Sequence, residues 1–165
     1  MTYTGKMFEQ DFFSSWKSCP DGTHLTRLYD TTNGFKGIQN PCDFILACEV
    51  GTVYLELKAT KQASLSFSNV SDHQWQSLLE ADTSDYAIGG LLVFFYEKQL
   101  LRWYPIRQLE ELRKAGAKSI NPDKLPNVGY PVKFYGKRIR CTFDIYSLIE
   151  AIELHSKEAL NVKQT

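Results

Sequence analysis

Glu56 and Lys58 stand two residues apart at the end of a short apolar run, Val53-Tyr54-Leu55-Glu56-Leu57-Lys58. A run of this length and character reads as a β-strand, and on a strand residues two apart point the same way. A carboxylate and an ammonium therefore share one face near the C-terminal end of the strand. Residues 43–49 form a second apolar run, and Val50-Gly51 separates the two. That pattern predicts a β-hairpin. Folding back about its turn brings Asp43 close to Glu56 and Lys58.

Two carboxylates and one ammonium have a use in phosphate chemistry. Oxygens of Asp43 and Glu56, with the Leu57 carbonyl, can bind Mg²⁺ and leave positions for water and phosphate. The metal would lower the pKa of bound water and offset charge at phosphorus. Lys58 could orient the water or counter the developing negative charge. The same residues admit a plainer reading, a solvated Glu–Lys pair at a strand end, and taken alone they leave both open.

These residues need a scaffold, and the chain carries the signals of one. Apolar positions Met7, Phe8, Phe12 and Trp16 make a helical stripe over residues 6–18, which Pro20, Asp21 and Gly22 end. Residues 23–29 alternate as a strand does. A loop rich in turn formers follows at 30–41. Polar, serine-rich sequence at 60–69 leads to Ser71 or Asp72, either of which can cap a helix reaching about residue 81. Residues 86–97 are the strongest strand, continuously apolar and so central. A short strand at 100–104 pairs with it through Lys98-Gln99. Pro105 can open a helix to about residue 115. Residues 118–137, with Pro122, Pro126 and Pro131, read as irregular cover, and 138–143 as a last strand. A helix over 144–156 carries Ile145, Leu148, Ile149 and Ile152 on one face, and residues 157–165 are expected to fray. The fold class expected is α/β: one mixed sheet flanked by helices, in a single domain.

Composition narrows the function classes. The chain has 165 residues, 43% of them apolar and 13% aromatic, enough for one core without disulfide or metal staples. The 19 basic and 19 acidic residues balance, so global charge gives no hint of nucleic-acid binding. A local basic patch remains possible, and Lys137-Arg138-Ile139-Arg140 is the densest basic run, although such a run also suits a solvated strand. The four cysteines lack C-x-x-C spacing and lie away from the three histidines, which argues against a zinc site and for reduced thiols in a cytoplasmic compartment. No signal peptide is expected, and no apolar run reaches membrane length. Trp75 and Trp103 have apolar neighbours at core-like spacing and are expected inside rather than on a DNA surface.

Pro41-Cys42-Asp43, a gap, then Glu56-Leu57-Lys58 resembles the signature of the PD-(D/E)XK (restriction-endonuclease-like) nucleases. Glu9, in Gly5-Lys6-Met7-Phe8-Glu9, matches the acid that the preceding helix often supplies. Lys58-Ala59-Thr60-Lys61 followed by Asp72-His73-Gln74 is similar to the RecU family of Holliday junction resolvases. Lys118-Ser119-Ile120, Pro126, Pro131 and Asp144-Ile145-Tyr146 recur in the same order. The resemblance runs from Gly5 to about Ile152.

The resemblance implies a metal-dependent, structure-selective endonuclease that acts as a homodimer and cuts two opposing strands of a four-way junction. It implies Mg²⁺, with Mn²⁺ as a substitute, held by Asp43, Glu56 and Leu57. Lys58, Glu9 and Gln74 would assist catalysis. Arg27, Lys36, Thr60, Lys61, His73 and Arg138 would contact DNA, largely through its phosphates. Loop 30–41, with Asn33-Gly34-Phe35-Lys36-Gly37 at its tip, would be the stalk that reaches toward the junction centre. Only four residues precede Gly5, where many such chains have a basic arm. A recombinase is a further implied partner, and no membrane is. Two other readings keep the same residues: a nuclease of this fold acting on other duplex or branched DNA, and a non-cleaving protein that binds branched DNA.

Overall fold

The computed structural model describes residues 3–18, 20–29, 39–137 and 140–163. The elements in chain order are α1 (Gly5–Ser15), β1 (His24–Arg27), β2 (Phe44–Cys48), β3 (Gly51–Thr60), β4 (Leu65–Ser66), α2 (Asp72–Ala81) and β5 (Ala87–Phe95). They continue with β6 (Leu100–Pro105), α3 (Ile106–Lys114), β7 (Ser119–Ile120), β8 (Tyr130–Val132), β9 (Phe134–Lys137), β10 (Arg140–Phe143) and α4 (Ile145–Lys163). Six strands form the main sheet in the order β1-β2-β3-β5-β6-β8. The β3–β5 pair is parallel and the others are antiparallel. The parallel pair needs a crossover, and α2 lies within it.

Period two sets the two faces of this sheet. On β5, Leu92 and Phe94 join a core with Phe8 and Phe12 of α1 and Leu148 and Ile152 of α4. The alternate residues Leu91, Val93 and Phe95 join a second core with Trp75 and Leu78 of α2 and Leu109 of α3. Both faces are covered, which is why β5 reads as unbroken apolar sequence. Trp75 and Trp103 are buried, as their spacing predicts. The same alternation sends Val53, Leu55 and Leu57 of β3 into the α1–α4 core. Glu56 and Lys58 therefore face α2.

Gly89 lets α2 approach the sheet closely: a Cβ there would stand 2.2 Å from the Leu78 carbonyl oxygen. The helix starts at an N-cap, Ser71, whose hydroxyl accepts from the Gln74 amide, while the Gln74 side chain accepts from the Ser71 amide. Each satisfies a backbone donor that the helix itself cannot. On the other face, Asp11 ties α1 to β10, accepting from the Tyr3 hydroxyl, Arg140 Nε and the Cys141 amide.

The structure corrects the reading of residues 118–137 as irregular. β7 pairs with β4, β8 closes the sheet, and β9 pairs with β10 as a separate hairpin. Pro131 hides β8 from a pattern search, yet on an edge strand its missing N–H costs nothing. The helix expected over 144–156 runs on to Lys163, and residues 164–165 of the expected frayed tail lie outside the described residues. Residues 157–163 contain no Gly or Pro and several strong helix formers, so the helix continues although residues 157–162 are solvent-exposed. Most of loop 30–41 lies outside the described residues, which resume at residue 39. Among the described residues no helix is long and apolar enough to cross a membrane.

Candidate active site

The hairpin register decides which groups meet. Phe44 of β2 lies opposite Leu55 of β3, and the Asp43 amide donates to the Leu55 carbonyl at 3.1 Å. There the backbone ladder ends. The next donor on that side of β3, the Leu57 amide, is taken by the Asp43 carboxylate at 2.8 Å. Alternate residues of a strand turn both N–H and C=O toward the same neighbour. The Leu57 carbonyl therefore points to the side where β2 has given way to Asp43.

Glu56 is buried, with 1% of its surface exposed. Its Oε1 accepts from Gln74 Nε2 at 2.6 Å and from Lys58 Nζ at 2.8 Å. Its Oε2 is buried and has no hydrogen-bond partner. Burial pushes the Glu56 carboxyl up to about 7, with the negative charge of Asp43 adding to the rise and Lys58 opposing it. Glu9 contributes a smaller rise. The neighbouring Cys42 thiol is pushed up to about 12, by burial first and then by Glu56 and Asp43. A carboxylate with an empty buried lone pair, set among further carboxylates, is an environment short of positive charge.

Gln74 holds this arrangement in one orientation. Its Oε1 accepts from the Ser71 amide at 3.1 Å and lies 3.4 Å from Lys58 Nζ. With the oxygen held by donors, the amide NH₂ must face Glu56. The cap of α2 and the end of β3 are thereby joined. Residue types at positions 71 and 74 permit a capping box, but only the docking of α2 on the sheet brings Gln74 to Glu56.

The other candidate residues separate into groups. Glu9 forms an ion pair with Arg27 at 2.8 Å, and the Arg27 guanidinium also lies over Tyr29 and Phe44. Thr60 is nearly buried and its hydroxyl accepts from the Gln62 amide, whereas Lys61 is exposed just beyond β3. His73 is exposed, with Nε2 3.2 Å from the Gln39 carbonyl. Lys36 and Arg138 lie outside the described residues.

The donors present fit a hard divalent cation. Among the described residues no three His, Cys, Asp or Glu side chains form a metal-holding group. The available set is thus two carboxylates and a backbone carbonyl, all oxygen. Mg²⁺ is commonly bound by one or two carboxylates while keeping several waters. The orphaned Glu56 Oε2 is the atom such an ion would satisfy.

The sequence profile of the family described as RecU, Recombination protein U, matches residues 26–147. The chain belongs to the RecU family. The matched span includes Asp43, Glu56, Lys58 and Gln74 and leaves Glu9 outside. A comparison with curated proteins finds no match. Among solved structures, the chain is similar to Hjc of Archaeoglobus fulgidus, a Holliday junction resolvase from an archaeal hyperthermophile. The two share 18% identity with a TM-score of 0.52, over 76% of this chain and 93% of that one. At that identity the likeness is one of fold, a mixed central sheet flanked by helices, as the sequence leads one to expect.

Proposed function

We propose that this RecU-family protein is a Mg²⁺-dependent endodeoxyribonuclease that resolves four-way (Holliday) DNA junctions by paired, symmetric nicks during recombination and repair. Mn²⁺ would substitute for Mg²⁺. The protein would work as a homodimer on branched DNA in the cytoplasm, where a recombinase is a further candidate partner. The observation that carries the reading is the unpartnered Oε2 of buried Glu56, beside Asp43 and Lys58, inside the span that matches the family.

Asp43, Glu56 and the Leu57 carbonyl would hold the ion. When bound, it supplies Lewis-acid chemistry, acidifying water and offsetting charge on the phosphate. Lys58 is anchored by Glu56 and Gln74, so its ammonium is held where it can orient the attacking water and counter charge gathering on the phosphate oxygens. Gln74 fixes the rotamer of Glu56. Glu9 adds negative charge near the site and keeps Arg27 in place for a DNA phosphate. Lys61, His73, Lys36 and Arg138 would extend the phosphate contacts, with Thr60 shaping the backbone that presents Lys61.

The test compares a labelled mobile four-way junction with matched linear duplex in Mg²⁺, using wild type and Glu56→Ala. Symmetric nicking of the junction alone, lost in the variant, is expected. Equal cutting of both substrates would keep the nuclease and remove the junction selectivity. Tight junction binding without cutting by the wild type would favour a non-cleaving binder.

A further inference from the structure

A second site adjoins the carboxylates. An open cleft of about 770 Å³ lies at the start of α2, lined by Ser66, Ser68, Ser71, Asp72, Arg113 and Lys118 among others. We propose that this cleft binds a backbone phosphate of the DNA strand being cut, near the scissile phosphate on the same strand. The proposal rests on the nuclease reading above and adds to it a contact made by residues outside the metal site.

The cleft is joined to the active site by hydrogen bonds. Ser71 lines the cleft, its amide donates to Gln74 Oε1, and Gln74 Nε2 donates to Glu56. A strand whose phosphate lies at Glu56 thus has its continuation within reach of the cleft.

The walls have the chemistry of a phosphate contact. The Arg113 guanidinium lies 4.9 Å from the Trp75 ring centroid, and Trp75 Nε1 is fixed to Glu110 at 2.7 Å. A guanidinium resting on a ring is held in place before the anion arrives. Lys118 is brought in by the β4–β7 pair, where Ser66 lies opposite Ser119 and the Lys118 carbonyl accepts from the Phe67 amide. Among the described residues, no carboxylate forms an ion pair with Lys118. Ser66 and Ser68 hydroxyls lie 2.8 Å apart, so one donates to the other and a single hydroxyl hydrogen remains for an anion. Asp72 opposes them. Its side chain is fully exposed, and at 3.9 Å it is only a loose partner for Arg113. Two cations face one anion, so the cleft carries net charge +1, which favours a phosphodiester whose bases stay outside. Such a contact positions the strand without reading its sequence.

The experiment measures binding of a labelled four-way junction in Ca²⁺ across a salt series, for wild type, Lys118→Ala, Arg113→Ala and Asp72→Asn, each checked for an unchanged melting temperature. Lys118→Ala and Arg113→Ala should each weaken binding and flatten the plot of log affinity against log salt, by no more than about 0.9, the value for one duplex phosphate contact. Asp72→Asn should tighten binding. A single methylphosphonate near the cut site should weaken wild type and add no further loss to Lys118→Ala. Unchanged slopes in both alanine variants, or weaker binding by Asp72→Asn, would overturn the proposal. The same DNA incubated in Mg²⁺ keeps the two readings apart. Shifted slopes without cleavage by the wild type would sink the nuclease reading and leave the cleft standing. Cleavage with unshifted slopes would do the reverse.

Discussion

Replacing Glu56 with glutamine should make the metal-free protein more stable at pH 8, although it removes the central metal-binding group. Glu56 has an ordinary value of 4.5 and is pushed up to about 7 in the folded chain, chiefly by burial and then by Asp43. Between those two values the folded state binds a proton that the unfolded state releases. The stabilisation is therefore full below about 4.5 and is lost as pH rises through about 7. The gap of about 2.5 units, at about 1.4 kcal/mol per pH unit, amounts to ~3.5 kcal/mol as an upper bound. The introduced glutamine would mimic the protonated acid: its amide oxygen still accepts from Gln74, and its NH₂ stands where the unpartnered Oε2 stood. Urea unfolding of both proteins in EDTA at pH 5.5 and pH 8 tests this. The wild type should lose stability across that interval relative to Glu56→Gln, and the variant should be the more stable at pH 8. Identical pH slopes, or a variant less stable at pH 8, would mean that burial of the charged Glu56 carboxylate does not destabilise the fold. The same proton competes with the metal, so wild-type metal affinity should fall as pH drops below about 7.

Three further perturbations address the scaffold. Arg102→Met removes a buried guanidinium that donates to the carbonyls of Pro126, Val128 and Gly129. It should cost ~3 kcal/mol and open residues 121–129 to limited proteolysis. Asp11→Asn weakens the tie from α1 to Tyr3, Arg140 and Cys141. It should lower stability by ~2 kcal/mol in chemical denaturation and leave cleavage per folded molecule unchanged. Gly89→Ala would drive a Cβ into the Leu78 carbonyl and push α2 off the sheet. It should cost ~2 kcal/mol and reduce Mg²⁺-dependent cleavage at temperatures where the protein remains folded, because Gln74 moves with α2.

Much of this arrangement is legible in the sequence because it is local. The sequence places the hairpin turn at Val50-Gly51; it lies one residue earlier, at Glu49-Val50, with Cys48 opposite Gly51, and the resulting register carries Asp43 to the Leu57 amide beside Glu56. The unbroken apolar run that becomes β5 declares its central place, since a strand covered on both faces needs apolar residues throughout. What the sequence hides is set by tertiary contact. Asp11 meets Arg140 across 129 positions of chain, and Glu9 meets Arg27 across 18. No periodicity reports such pairs. The prolines of 118–137 suggest a loop, yet edge strands tolerate Pro131. Gln74 is visible as a candidate, but the direction of its amide follows from the Ser71 cap and the docking of α2. The burial that orphans Glu56 Oε2 likewise arises only when the helix closes over the strand end.

Mn²⁺ binding followed by electron paramagnetic resonance at pH 8, without DNA, for wild type, Asp43→Asn and Glu56→Gln, tests whether the end of β3 holds the ion. A site is expected in the wild type that each substitution abolishes or weakens by at least about tenfold, since each removes one of two charged ligands. Equal Mn²⁺ binding by all three proteins would contradict this expectation and move the metal, and with it the chemistry, away from the end of β3.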